Sequence, residues 1–93
     1  MSWGNLIKYM HELLIAAQAE RDDRSQSVND EPGWVAYERE VVLEAINEER
    51  TNRGFNTLTP DDVKRAETYA AGHVDYTWTF AIGCAKLAVG APL

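Results

Sequence analysis

Ninety-three residues, 45% hydrophobic and 26% charged, suit one small globular domain and are too ordinary in composition for a disordered chain. Nine Lys and Arg against fifteen Asp and Glu leave a net charge of −6, the wrong sign for neutralising nucleic-acid phosphates. A single cysteine cannot close an intramolecular disulfide, in keeping with a reducing cytoplasm.

The first predicted element is an amphipathic helix over about residues 5–22. Leu6, Ile7, Met10, Leu13, Leu14 and Ala17 recur there at helical spacing, with Trp3 just ahead. LLIAA followed by AQA resembles a secretory leader, but His11 and Glu12 cut the apolar run too short, so a cytoplasmic protein is expected. A polar loop follows at about 23–31, longer than a tight helical hairpin needs.

The second helix is predicted over about 32–53. Asp30 or Glu31 caps it, Pro32 suits its first turn, and Gly54 is its C′ stop. Val35, Val42, Ala45 and Ile46 form its inner stripe, with Trp34, Tyr37 and Val41 alongside. Glu40, Glu44 and Glu48 stand at i, i+4 and i+8 and draw an acidic line along one face, which Arg39, Arg50 and Arg53 are expected to dilute.

LTPDDV then marks a helix start: Thr59 as N-cap, Pro60 at N1, Asp62 at N3, and Leu58 with Val63 in the two positions of a hydrophobic staple. The third helix is predicted over 60–89, stopped by Gly90 and Pro92. At ~1.5 Å per residue it would be roughly 45 Å long, so a bend or break is expected near Gly72 or Gly83. Val63, Ala66, Ala70, His73, Thr77, Phe80, Cys84 and Leu87 alternate by three and four, a heptad-like seam. The small residues Ala66, Ala70, Ala81 and Gly83 would let another helix approach closely.

The histidine, aspartate and cysteine of GHVDYTWTFAIGCAKL suggest catalysis, and their spacing argues against it. Eleven residues separate His73 from Cys84, roughly 16 Å on a straight helix, too far for a nucleophile and its base. Asp75 lies on a different face from His73. Cys84 reads as a small buried hydrophobe. His73, Asp75 and Tyr76 read as a structural polar network, with Tyr69, Tyr76, Thr77 or a carboxylate of the second helix as partners for His73 and Lys8, Arg39 or a tryptophan N–H for Asp75. No Glu stands three residues before His11 or His73, so the di-iron pattern is absent, and no P-loop, G-x-G-x-x-G, G-x-S-x-G or cysteine pair occurs. No catalytic, cofactor-binding or metal-binding residue is assigned.

From Tyr76 onward Lys86 is the only charged side chain. Threonines, glycines, Lys86 and Pro92 interrupt this stretch too often for a membrane span. Its large apolar residues point all round the helix and must be covered, by the first two helices or by another chain. That points to a protein–protein interface involving Trp78, Ile82 and the C-terminal tail.

Residues 37–90 resemble a set of small accessory proteins encoded by phages of actinobacteria. The shared order is N-x-E-R at Asn47–Arg50, an R-G turn at Arg53–Gly54, D-V at Asp62–Val63, G-H-x-D-Y at Gly72–Tyr76, F-A at Phe80–Ala81 and C-A-x-L at Cys84–Leu87. The chain departs from that pattern at Thr77–Thr79 and Ile82–Gly83, and residues 1–33 fall outside it. The resemblance implies a protein that binds a bacterial host protein and alters, most simply inhibits, its activity, arresting growth or excluding a competing phage.

The expected architecture is therefore all-α: one domain over 1–93, an antiparallel three-helix bundle whose third helix is the longest. The expected function is a non-enzymatic interaction protein contacting its partner through Trp78, Ile82, Glu40, Glu44 and Glu48, without cofactor, nucleic acid or membrane span, with self-association a further possibility. The alternatives are an acidic DNA mimic that inhibits a DNA-binding protein, and a small enzyme using His73 and Asp75.

Overall fold

Among the described residues the helical periods are realised as four α-helices: α1 (Trp3–Arg24), α2 (Glu31–Asn52), α3 (Pro60–Ala70) and α4 (Tyr76–Val89). The computed structural model describes residues 2–24 and 31–93, with side chains at 2–20 and 37–93, and no strand occurs among them. The centre of the expected loop, 25–30, and the cap assigned to Asp30 lie outside the described residues, as do the side chains of Trp34 and Val35.

The long third helix is corrected to two. α3 ends where Ala71 leaves helical dihedrals at φ −58°, ψ 133°, and Gly72 follows at φ +82°, a conformation that glycine adopts without a Cβ penalty. The break therefore falls at Gly72 and not at Gly83, which lies inside α4. A straight helix would carry the stripe Val63, Ala66 and Ala70 away from the core. Turning at Gly72 folds it back, and all three are buried. Hydrophobic burial outweighs the helical bonds lost at the turn.

α4 packs against each of the other three helices. Phe80, Ala81, Gly83, Cys84, Ala85, Leu87 and Ala88 are buried along it. α1 contributes Leu6, Ile7, Met10, Leu14 and Ala17, and α2 contributes Val42, Ala45 and Ile46. The helix that is apolar all round is thus covered largely from within the chain. Gly83 sets the approach of α3: a Cβ there would lie 3.0 Å from Ala66 Cβ and 3.3 Å from Ala66 Cα.

Local chemistry fixes the helix ends. At the start of α3 the Asp62 carboxylate accepts from the Thr59 backbone N–H at 3.0 Å and from its hydroxyl at 3.2 Å. The backbone bond is the main cause holding the Asp62 carboxyl below its ordinary 3.8, with the Thr59 hydroxyl, Arg65 and Arg50 adding and partial burial opposing. α2 and α4 both end in a Schellman closure. Phe55 N–H donates to Arg50 O and Gly54 N–H to Thr51 O; Ala91 N–H donates to Lys86 O and Gly90 N–H to Leu87 O.

These two C-terminal ends are joined by Arg50. Its Nε donates to Asn56 O at 2.6 Å, its Nη1 donates to Leu87 O at 2.8 Å, and its guanidinium lies 5.3 Å from the centre of the Phe55 ring. One turn earlier Asn47 donates to Leu58 O at 3.2 Å and accepts from Leu58 N–H at 2.7 Å, holding the α2–α3 connection as a neighbouring strand would. Arg39 of α2 pairs with Glu67 of α3 at 2.8 Å.

Gly83→Val should destabilise the protein by about 1–3 kcal/mol in chemical denaturation, because the Ala66 backbone blocks the added branch. Asp62→Ala should cost about 1 kcal/mol at neutral pH. A carboxylate with a depressed native pKa contributes stability above its unfolded value and loses it as pH falls through the native value. The gap between Asp62→Ala and the unsubstituted chain should therefore narrow as pH falls below about 3.8, read from melts at several pH values.

Candidate functional site

The turn at Ala71–Asp75 carries the residues that sequence spacing placed in a buried seam. His73, Val74 and Asp75 are all exposed, Val74 completely so. His73 follows the helix break, so the α3 stripe no longer carries it inward. Its ring lies 6.3 Å from that of Tyr69, tilted by 31°. Arg39, considered as a partner for Asp75, is engaged by Glu67 instead. The buried network of His73, Asp75 and Tyr76 is thus replaced by a surface turn.

Tyr76 opens α4 half-exposed, and its ring packs on Phe80 at 5.7 Å. Partial burial is the first cause raising its phenol above the ordinary value; Glu67 and Glu38 add to it and Arg39 opposes. Glu38, at 6% exposure, is the buried charged side chain among the described residues. A shallow depression lined by Arg39, Lys64, Glu67, Thr68, Ala71 and Tyr76 lies over this cluster. A second, lined by Lys64, Arg65, Thr68, Tyr69, Pro92 and Leu93, runs between α3 and the tail. Neither includes His73 or Asp75. In the first depression Arg39 is paired with Glu67 at 2.8 Å beside the Tyr76 phenol.

Cys84 is buried completely, and burial, reinforced by Glu67, pushes its thiol well above the ordinary range. Such a thiol is protonated and unreactive, so Cys84 serves as core. Among the described residues no three His, Cys, Asp or Glu side chains converge to hold a metal ion, and no helix is long and apolar enough to cross a membrane.

The surface expected around Trp78 and Ile82 divides in two. Trp78 remains 37% exposed, and its ring meets His11 of α1 edge-on, with centres 5.1 Å apart at 69°. Beside it Gln18 donates to Thr77 Oγ1 at 3.4 Å. Ile82 is half-buried and packs against the core. Sequence reasoning overestimates its exposure, because the side chain packs against the core.

The acidic line is retained and sharpened. Glu40, Glu44 and Glu48 are all exposed. The three arginines expected to dilute them are turned elsewhere: Arg39 to Glu67, Arg50 to the carbonyls of Asn56 and Leu87, and Arg53 to Glu49 at 3.8 Å. No Lys or Arg stands three or four positions before or after any of the three glutamates. The partner roles of Arg50 and Asn47 escaped sequence analysis; the available signal was an asparagine in a helix interior, where its propensity is poor.

Comparison of the chain with protein families, with curated proteins and with solved structures finds no match.

Because its side chain is exposed, His73→Ala should change stability by no more than about 0.5 kcal/mol. This reverses the loss expected from the seam, and a thermal melt distinguishes the two.

Proposed function

We propose that this chain is a non-enzymatic interaction protein that binds a bacterial host protein and inhibits it, offering the acidic line of α2 to a basic surface on that partner. The observation that carries this reading is that Glu40, Glu44 and Glu48 are exposed while Arg39, Arg50 and Arg53 are committed elsewhere. Like charges one helical turn apart cost roughly 0.2–0.5 kcal/mol per pair, so folding alone gains nothing from this arrangement. A cationic partner converts the cost into attraction and speeds encounter. Trp78, half-exposed against His11, supplies an apolar contact on a separate face.

The resemblance of residues 37–90 to small phage proteins supplies the biological setting, the cytoplasm of a bacterial host, with growth arrest or exclusion of a competing phage as the outcome of inhibition. Mimicry of DNA is the weaker reading. Three carboxylates on nine residues of helix span roughly 12 Å, over which B-DNA carries about seven charges. A line this sparse suits a basic patch on a protein better than a groove shaped for a duplex.

Pull-down from an actinobacterial lysate should capture a host protein that the triple variant Glu40→Gln, Glu44→Gln, Glu48→Gln loses. Titration of that purified partner should weaken at least tenfold in the variant and also in high salt, as screening of exposed charges requires. Capture indifferent to both the variant and salt would overturn the acidic line as the contact, and recovery of the bait alone would overturn the interaction reading.

A further inference from the structure

The apolar register of α3 continues into α4 without a phase change, although the helix between them is broken. Val63, Ala66 and Ala70 of α3 are buried, and so are Phe80, Cys84 and Leu87 of α4. With His73 and Thr77 between them, these positions keep the alternation by three and four of one uninterrupted helix. A turn designed only as a turn has no need to conserve that phase.

The turn itself is weakly built. Within Ala71–Asp75, Ala71 (ψ 133°), Gly72 (φ +82°) and Asp75 (φ −105°, ψ 70°) leave helical dihedrals, and Gly72 alone takes a positive φ. A Cβ at Gly72 would meet nothing within 4 Å, and the turn is held by two backbone bonds, Ala71 N–H to Thr68 O at 3.2 Å and His73 N–H to Ala70 O at 3.1 Å. Asp75, the N-cap of α4, makes no side-chain cap hydrogen bond, so the first N–H groups of α4 are not served by it. In a continuous helix the carbonyls of residues 72–74 would accept from those groups. Val74, an apolar side chain, projects wholly into solvent.

We propose that Ala71–Asp75 is an exchange hinge. On straightening, residues 60–89 form one helix, and α4 of each chain takes the central place in a second copy. Every contact of α4 with α1, α2 and α3, including Gly83 against Ala66, is then remade between two chains, the contacts of α1, α2 and α3 with one another stay within each chain, and only the hinge differs. The partner is another copy of this chain because the vacated space, lined by α1, α2 and α3, has the shape of α4 itself. Withdrawing the central helix exposes the core, so the two forms interconvert only through unfolding and are set by the chain concentration at refolding.

The test refolds the full chain from denaturant at low and at high concentration, and reads mass by light scattering and amide exchange by mass spectrometry. High concentration should yield a dimer in which amides 72–78 are protected, with the monomer leaving them open. Gly72→Ala, which favours the helix and disfavours φ +82°, should tighten the dimer by roughly a hundredfold or more. Val74→Pro, which breaks a continuous helix at an exposed turn position, should remain monomeric. Monomer alone from the unsubstituted chain and Gly72→Ala, a dimer with amides 72–78 unprotected, or equal dimerisation by Val74→Pro would each overturn the proposal. If Gly72→Ala fails to fold, the unsubstituted chain and Val74→Pro decide the matter.

Discussion

A fourteen-residue helix whose only charged side chain is Lys86 has to be covered on nearly every side, and the fold follows from that demand. α4 sits among α1, α2 and α3, each giving one apolar stripe to it. Covering it with so short a chain requires close approach, and small residues provide it. Gly83 lets Ala66 come within the reach of a missing Cβ, and Ala81, Ala85 and Ala88 are buried completely. The same demand explains the break at Gly72, since a straight helix could not return Val63, Ala66 and Ala70 to the core formed with α4.

Polar groups join what the apolar contacts bring together. The Arg50 carbonyl closes its own helix through Phe55 N–H, while its guanidinium caps the end of α4 at Leu87 O. Phe55 in turn lies against Gly90, where a Cβ would stand 3.4 Å from the ring. Arg39 and Glu67 fasten α2 to α3 with both side chains mostly buried, and Lys86 lies 5.0 Å from the Tyr69 ring centre. Using α2's arginines as joints has an electrostatic consequence: among the described residues, Glu40, Glu44 and Glu48 on the outer face are left without a cation at ion-pair distance, and the proposed function rests on this asymmetry.

Much of the helical layout was legible in sequence because its determinants are local. Thr59, Pro60 and Asp62 announce α3 within four residues, and Asp62 accepts from Thr59 as that pattern requires. Gly54 and Gly90 take the positive φ that ends α2 and α4. The small core role of Cys84 followed from its place in the apolar period. The candidate site was less legible. Ile82 looked exposed because helical spacing cannot tell how far neighbouring helices extend, and the side chain packs against the core. His73 looked buried because the alternation by three and four runs through it, whereas the chain turns one residue earlier.

By itself the sequence determined where α2 and α3 begin and where α2 and α4 end, which positions are apolar, and that the apolar segment from Tyr76 needs covering all round. These depend on propensity, capping and period, which act within a few residues. Only the tertiary structure decided the break at Gly72 over one at Gly83, the surface place of His73 and Asp75, and the engagement of Arg50 with a carbonyl thirty-seven positions away. Those outcomes depend on which distant surfaces meet. Burial against a remote helix outweighs the local preference for continuing one, and an arginine's charge reaches the surface or is spent inside according to what lies across from it.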